Sequence, residues 1–182
     1  MTVSEHPDLS RVLIIGTTST GKSTLGAGLA DRLGVPFIEM DALFWGPDWT
    51  PRAKEDFLAS VEQASAEDHW VMAGNYTSWQ RYSLDRATTI IWLDYSFPRT
   101  LWRCLKRTCL RVLTRKELFS GNREGFRQSF LSRDSIIVWL FKTWGPNRHK
   151  FAGLLDGVSK PRCVVILRRP RDAAAFLGAL HS

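Results

Sequence analysis

The sequence predicts an α/β fold in which a parallel sheet is covered by helices on both faces. Three observations carry that expectation. Short continuous apolar runs bounded by glycine or an acid recur along the chain, and segments of helical period separate them. The first run also leads directly into a glycine-rich loop that opens a helix. Strands buried on both faces read as unbroken apolar runs, and the intervening helices supply the crossovers that a parallel sheet needs.

The elements follow in order. Residues 11–16 (RVLIIG) predict the first strand, continuously apolar from Val12 to Ile15 and stopped by Gly16. Residues 23–33 predict a helix, with Leu25, Leu29 and Leu33 on one face and Gly34 just past its end. Residues 35–41 (VPFIEMD) predict a second strand that ends on Asp41, with Pro36 at its start. Thr50-Pro51 supplies a cap and a first-turn proline for a helix running to about Ala66. Residues 70–74 (WVMAG) and 87–93 (ATTIIWL) predict the third and fourth strands. Pro98 starts a long basic helical region, and a second helix is expected over 123–144, beyond Ser120-Gly-Asn122. Residues 162–167 predict a fifth strand and 171–180 a closing helix.

A chain of 182 residues fits one domain, here with a helical insert or lid at about 99–150. A hydrophobic fraction of 44% with a net charge of only +7 excludes a wholly disordered chain. No apolar run approaches the roughly 20 residues of a membrane span, so no membrane partner is expected. The opening residues, MTVSEHPDLS, lack the apolar stretch of a secretory signal. Cys104, Cys109 and Cys163 match neither a disulfide framework nor a zinc spacing, so reduced thiols in a cytoplasmic protein are expected. The positive charge is concentrated. Residues 99–150 hold 13 basic and three acidic side chains, a net of +10, against 12 and 15 elsewhere, a net of −3. An anionic partner and a solvated helical face are both open readings of that stretch.

One motif decides the function class. Residues 16–23, Gly16-Thr17-Thr18-Ser19-Thr20-Gly21-Lys22-Ser23, match the pattern G-x-x-x-x-G-K-[ST] in full. Gly16 and Gly21 let the backbone aim successive N–H groups at a phosphate, and the helix start adds its dipole. Lys22 is expected to reach the β- and γ-phosphates, the Ser23 hydroxyl to hold Mg²⁺, and Thr24 to contact the α-phosphate region. The motif sits after a predicted strand and before a predicted helix, as the chemistry requires. ATP with Mg²⁺ is therefore the expected cofactor pair. Two strands end in a carboxylate. Asp41 lies where open parallel sheets place ligands, while Ile90-Ile-Trp-Leu-Asp94 has the shape of a Walker B strand; a turn or cap is the alternative for each.

These residues together resemble a family. The phosphate loop, Met40-Asp41-Ala-Leu-Phe-Trp45 with Pro47 and Trp49, Trp70-Val-Met-Ala-Gly74-Asn75-Tyr76 and Ile90-Ile-Trp-Leu-Asp94 resemble the adenylate-kinase-like P-loop proteins. Within that group the chain is most similar to the proteins labelled DNA topology modulation proteins, including Asn122-Arg123-Glu124 and the aromatic helix from Trp139 to Trp144. The resemblance implies a P-loop NTPase three-layer sandwich, with a five-stranded parallel sheet in order 2-3-1-4-5 and a lid between strands four and five. It implies that Arg103, Arg107 and Arg123 are lid arginines, that Arg81 grips the acceptor, and that Arg168 lies in the loop against the nucleotide base. Adenylate kinases carry Asp-Gly-Phe-Pro-Arg after the third strand. Here the segment is Ala73-Gly74-Asn75-Tyr76, with the acid missing and the arginine displaced to Arg81, which argues against strict adenylate kinase activity.

The expected function is transfer of the γ-phosphoryl group of ATP to a small acceptor, a nucleotide or a hydroxyl metabolite. Lys22, Asp41, Arg107 and Arg123 are the expected catalytic residues. Asp41, Trp45, Asn75 and Arg81 are expected on the acceptor side, with core packing the open alternative for Trp45 and its neighbours Phe44 and Trp49. Arg103, Arg107, Arg111 and Arg115 recur every four residues and share a helical face, which is more charge than one phosphoryl clamp requires. That surplus keeps an ATP-dependent nucleic-acid-binding protein as the second reading, and a nucleotide sensor as a third.

Overall fold

A computed structural model describes residues 7–75, 81–114, 135–156 and 163–181, except for the side chains of Arg81, Tyr82, Asp156 and His181. Five strands form the sheet: β1 (Arg11–Gly16), β2 (Phe37–Glu39), β3 (Trp70–Ala73), β4 (Thr89–Leu93) and β5 (Cys163–Leu167). All pair in parallel, in the order β2-β3-β1-β4-β5, as the family resemblance implies. Among the described residues seven α-helices connect and cover them: α1 (Lys22–Leu33), α2 (Met40–Phe44), α3 (Lys54–Ala64), α4 (Arg81–Arg86), α5 (Phe97–Thr114), α6 (Ile136–Asp156) and α7 (Pro170–Gly178).

The unbroken apolar run of β1 is explained by its two neighbours. Leu13 and Ile15 face one core with Phe57 and Val61 of α3 and Phe151 and Leu155 of α6. Val12 and Ile14 face the other, with Leu25 and Leu29 of α1 and, at its edge, Phe176 and Leu177 of α7. Successive side chains alternate across a strand, so a central strand has no solvent face to polarise. α1 ends as its sequence predicts, on Gly34 in the left-handed conformation (φ 66°), whose N–H returns to the last turn.

Three of the boundaries that differ from the sequence expectation have a visible physical cause. The second strand stops at Glu39, and Met40 and Asp41 belong to the first turn of α2. Met40 is fully buried against Gly74, and that packing turns the chain out of the sheet. The third helix starts at Lys54 rather than at Pro51. Pro51 instead bridges Trp45, and the Arg52 N–H donates to the Phe44 carbonyl, which keeps the chain extended until Glu55 and Asp56 can occupy a helix N-terminus. The sixth helix passes through Gly145-Pro146 and runs to Asp156, not to Trp144. Pro146 is exposed, as is Lys142, so water can take the carbonyl that the proline leaves unbonded. The expected residues 123–134 of that helix, and the 115–134 part of the insert, lie outside the described residues.

Gly74 couples the core to the loop beyond it. A Cβ there would stand 2.6 Å from both Cβ and Sδ of Met40. Gly74→Ala is expected to destabilise the fold by about 1–3 kcal/mol, the usual range for overpacking. The measurement is urea unfolding followed by circular dichroism; an unchanged midpoint would show that Met40 moves aside freely.

Candidate active site

The carboxyl ends of β1, β2, β3 and β4 bring the phosphate loop, Asp41, Asn75 and Asp94 to one edge of the sheet, where ligands bind in this architecture. The loop connects β1 to α1. Gly16 (φ 153°) and Gly21 (φ 97°) both take conformations that favour glycine, and Gly21 is the residue from which α1 starts. A Cβ on Gly16 would also lie 2.9 Å from the Leu93 carbonyl oxygen, so the loop is seated directly on β4. Thr20 closes the turn: its hydroxyl donates to the Thr17 carbonyl at 2.8 Å.

A cavity of about 410 Å³ opens over this loop. Thr18, Ser19, Gly21, Lys22, Ser23 and Thr24 form its floor, and Asp41 forms one wall. The opposite wall comes from α5, which contributes Arg103, Lys106, Arg107, Leu110 and Arg111. Four cations of the basic stretch therefore border the cavity, Lys106 while also exposed to solvent.

Lys22 curls back over the loop, its Nζ donating to the carbonyls of Gly16 at 2.8 Å and Thr17 at 3.3 Å. Burial pushes its ammonium down from the ordinary 10.5 to about 8; Arg107 adds to this, while Asp41 and Glu39 oppose it. Glu39 responds in the other direction. Burial raises its carboxyl above the usual range and Asp41 raises it further, whereas a hydrogen bond from Ser23 and the charges of Lys22 and Arg111 hold it down.

Glu39 is the residue the sequence reading missed. The signal was present: Glu39 and Asp41 flank a buried Met40 at the carboxyl end of β2, two residues apart. Asn75, expected on the acceptor side, accepts the Gly16 N–H through its Oδ1 at 3.2 Å and so braces the loop. Trp45 stacks edge-on with Phe44 (4.8 Å) and Trp49 (5.8 Å), beside the cavity wall rather than on it. Arg168 is exposed after β5, with its N–H bonded to Asp172 Oδ2, and does not line the cavity. Asp94 forms a bidentate ion pair with Arg148 of α6, at 2.9 and 3.1 Å, which ties α6 to the end of β4. Arg115, Arg123, Tyr76 and the Arg81 side chain lie outside the described residues.

A parallel sheet in this order, with a lysine-bearing glycine loop beneath a row of arginines, defines a P-loop kinase. No family model matches the chain. A shikimate kinase from Symbiobacterium thermophilum is 30% identical over 127 residues, covering 60% of this chain and 70% of that protein. The chain belongs to the shikimate kinase family and is a small-molecule phosphotransferase. Solved shikimate kinase structures share the fold. The enzyme from Aquifex aeolicus superposes with a TM-score of 0.54 at 15% identity, over 94% of this chain and 96% of that one. The enzyme from Acinetobacter baumannii in complex with shikimate superposes with a TM-score of 0.56 at 14% identity, over 95% and 91%. Among the described residues no helix is long and apolar enough to cross a membrane.

Proposed function

We propose that the protein transfers the γ-phosphoryl group of ATP to a hydroxyl of a small hydroxy-acid or polyol acceptor of the shikimate type. The observation that carries this reading is the sharing of one cavity by the phosphate loop, Asp41 and the α5 cations. Phosphoryl transfer needs little covalent assistance; positioning and positive charge do most of the work. Lys22 and the loop amides would hold the β- and γ-phosphates. Arg107 and Arg111 face the same space and would stabilise charge on the transferring group, with Arg123 as a third cation from the insert. Asp41 would orient the acceptor hydroxyl and take its proton.

The residues present fit Mg²⁺. The Ser23 hydroxyl and the Glu39 carboxylate are hydrogen-bonded to each other, and oxygen donors of this kind suit that ion. Mg²⁺ bound there would supply charge neutralisation at the phosphates. Among the described residues no group of three His, Cys, Asp or Glu side chains is placed to hold a metal ion.

The test is ADP release over a panel of acceptors that includes shikimate, gluconate and AMP, each against ATP alone. A single hydroxy-acid acceptor that raises turnover at least tenfold supports the proposal. Stimulation by AMP alone, or by none of the panel, removes it. The position of Arg103, Lys106, Arg107 and Arg111 along the cavity wall accounts for part of the basic surplus without nucleic acid. Salt-dependent DNA binding that survives their replacement would restore that second reading.

The charge state of Lys22 gives a further expected result. Below pH 8 the ammonium is charged in the free protein, so triphosphate binding involves no proton uptake by this group. Between about 8 and 10.5 the folded protein has lost the proton that the unfolded chain and the phosphate-bound protein keep. Stability of the free protein therefore rises with pH across that window, and ATP binding takes up a proton there. Calorimetry at pH 7 and pH 9 in buffers of different ionisation enthalpy should show uptake approaching one proton only at pH 9, from this group. Glu39 acts in the acid range with its own sign. Its raised pKa means that the stability it contributes declines as pH rises from the ordinary glutamate value through the raised one.

A further inference from the structure

We propose that Arg103 is a positioning residue: it holds the phosphate loop in its binding shape by fixing Ser19 in a left-handed conformation. The functional part of this inference rests on the reading of the loop as a triphosphate site. Ser19 has φ 64°, a region that glycine enters freely and serine does not. Its side chain is buried, and its Oγ has no hydrogen-bond partner. Both the backbone conformation and the unsatisfied hydroxyl work against this arrangement, so something outside the loop must hold it.

Arg103 is that restraint. From α5, 84 residues away in sequence, its Nε donates to the Ser19 carbonyl at 3.1 Å. Its guanidinium also covers the next glycine of the loop, because a Cβ on Gly21 would stand 2.8 Å from Arg103 Nη2. The arginine is itself anchored. Its guanidinium lies over the buried Tyr95 ring at 5.9 Å, and the Tyr95 carbonyl accepts the Trp144 Nε1 proton at 3.2 Å. Arg148 then stacks on Trp144 at 5.7 Å while paired with Asp94. A continuous set of contacts thus runs from α6 through the end of β4 to Ser19. With Ser19 left-handed, the backbone beside it forms the concave run of N–H groups that receives an anion. Released from Arg103, Ser19 would relax towards ordinary φ values and the concavity would open.

The left-handed conformation of Ser19 distinguishes a restraint on the loop from a purely electrostatic role. Glycine at position 19 adopts the left-handed conformation without restraint, so Ser19→Gly should make Arg103 dispensable for loop shape. In the full-length protein without nucleotide, Arg103→Ala is expected to speed amide exchange in residues 17–22 about tenfold, the effect of losing one charged hydrogen bond. It should raise the dissociation constant for fluorescently labelled ATP by a similar factor. The Arg103→Ala/Ser19→Gly double variant should bind within about threefold of Ser19→Gly alone, the non-additivity expected of coupled residues. Arg103→Lys keeps the charge but not the Nε donor and should exchange as fast as Arg103→Ala; it also serves if the alanine variant does not fold.

If the double variant binds as weakly as Arg103→Ala, the arginine acts only by its charge and the proposal is overturned. Unchanged exchange in Arg103→Ala and Arg103→Lys overturns it as well. The two readings separate cleanly. A wild-type protein that binds no labelled ATP, with exchange still accelerated in Arg103→Ala, defeats the triphosphate site while upholding the restraint on Ser19.

Discussion

Lys22→Met is expected to lower kcat/KM for ATP by about 10³-fold, roughly 4 kcal/mol of transition-state stabilisation at about 1.36 kcal/mol per factor of ten. The reason lies in where the ammonium sits. It is half-buried in the loop, held by two backbone carbonyls, and its pKa is pushed down to about 8. A charge kept in such surroundings is poorly solvated before phosphate arrives and gains much when it does. Lys22→Arg should rescue little, since a planar fork cannot replace a compact charge in that space. The assay is steady-state kinetics with far-ultraviolet circular dichroism as the folding control. A folded Lys22→Met protein that keeps wild-type turnover would remove the loop from the mechanism.

Asp41→Asn is expected to reduce kcat by about 10²–10³-fold while ATP affinity changes by less than about threefold, because a positioned base acts on the acceptor and not on the nucleotide. The split between the two parameters is the informative reading. Equal losses in nucleotide affinity and turnover would assign Asp41 to the metal instead. Asp94→Asn provides the contrast. Asp94 is 7% exposed and bonded to Arg148, whose side chain is 53% exposed, so its replacement should act mainly on stability. About 1–2 kcal/mol is expected, below the range for a fully buried pair because the arginine is half solvated.

The fold was largely legible because its signals are local. A strand continuously apolar from Val12 to Ile15, a loop with glycine at both ends and a helix with leucine every fourth residue need no distant partner to be recognised. The boundaries that moved are those set by distant contacts. Met40 leaves the second strand because Gly74 makes room for it, and α6 continues through Pro146 because that turn faces solvent. In the site, Lys22, Ser23 and Asp41 were found from motif and strand-end position. Glu39 was not: it stands two residues before Asp41, but nothing local shows that its side chain will meet Ser23 of the phosphate loop. Of the two strand-end acids, the placement of Asp41 past the second strand already favoured it; in the structure Asp41 lines the cavity, while Asp94 is paired with a residue 54 positions away.

The sequence by itself determined the class of protein: a parallel α/β sheet, a phosphate loop and an excess of positive charge, all carried by residues close together in the chain. It also placed that charge in one stretch, without saying which way the stretch would face. Only the tertiary structure decided that Arg103, Lys106, Arg107 and Arg111 border the cavity, that Asn75 braces Gly16, and that Asp94 is engaged by Arg148. The reason is physical. Helical period puts side chains on a common face, but the direction of that face is set by the residues buried behind it, here Thr100, Cys104 and Thr108.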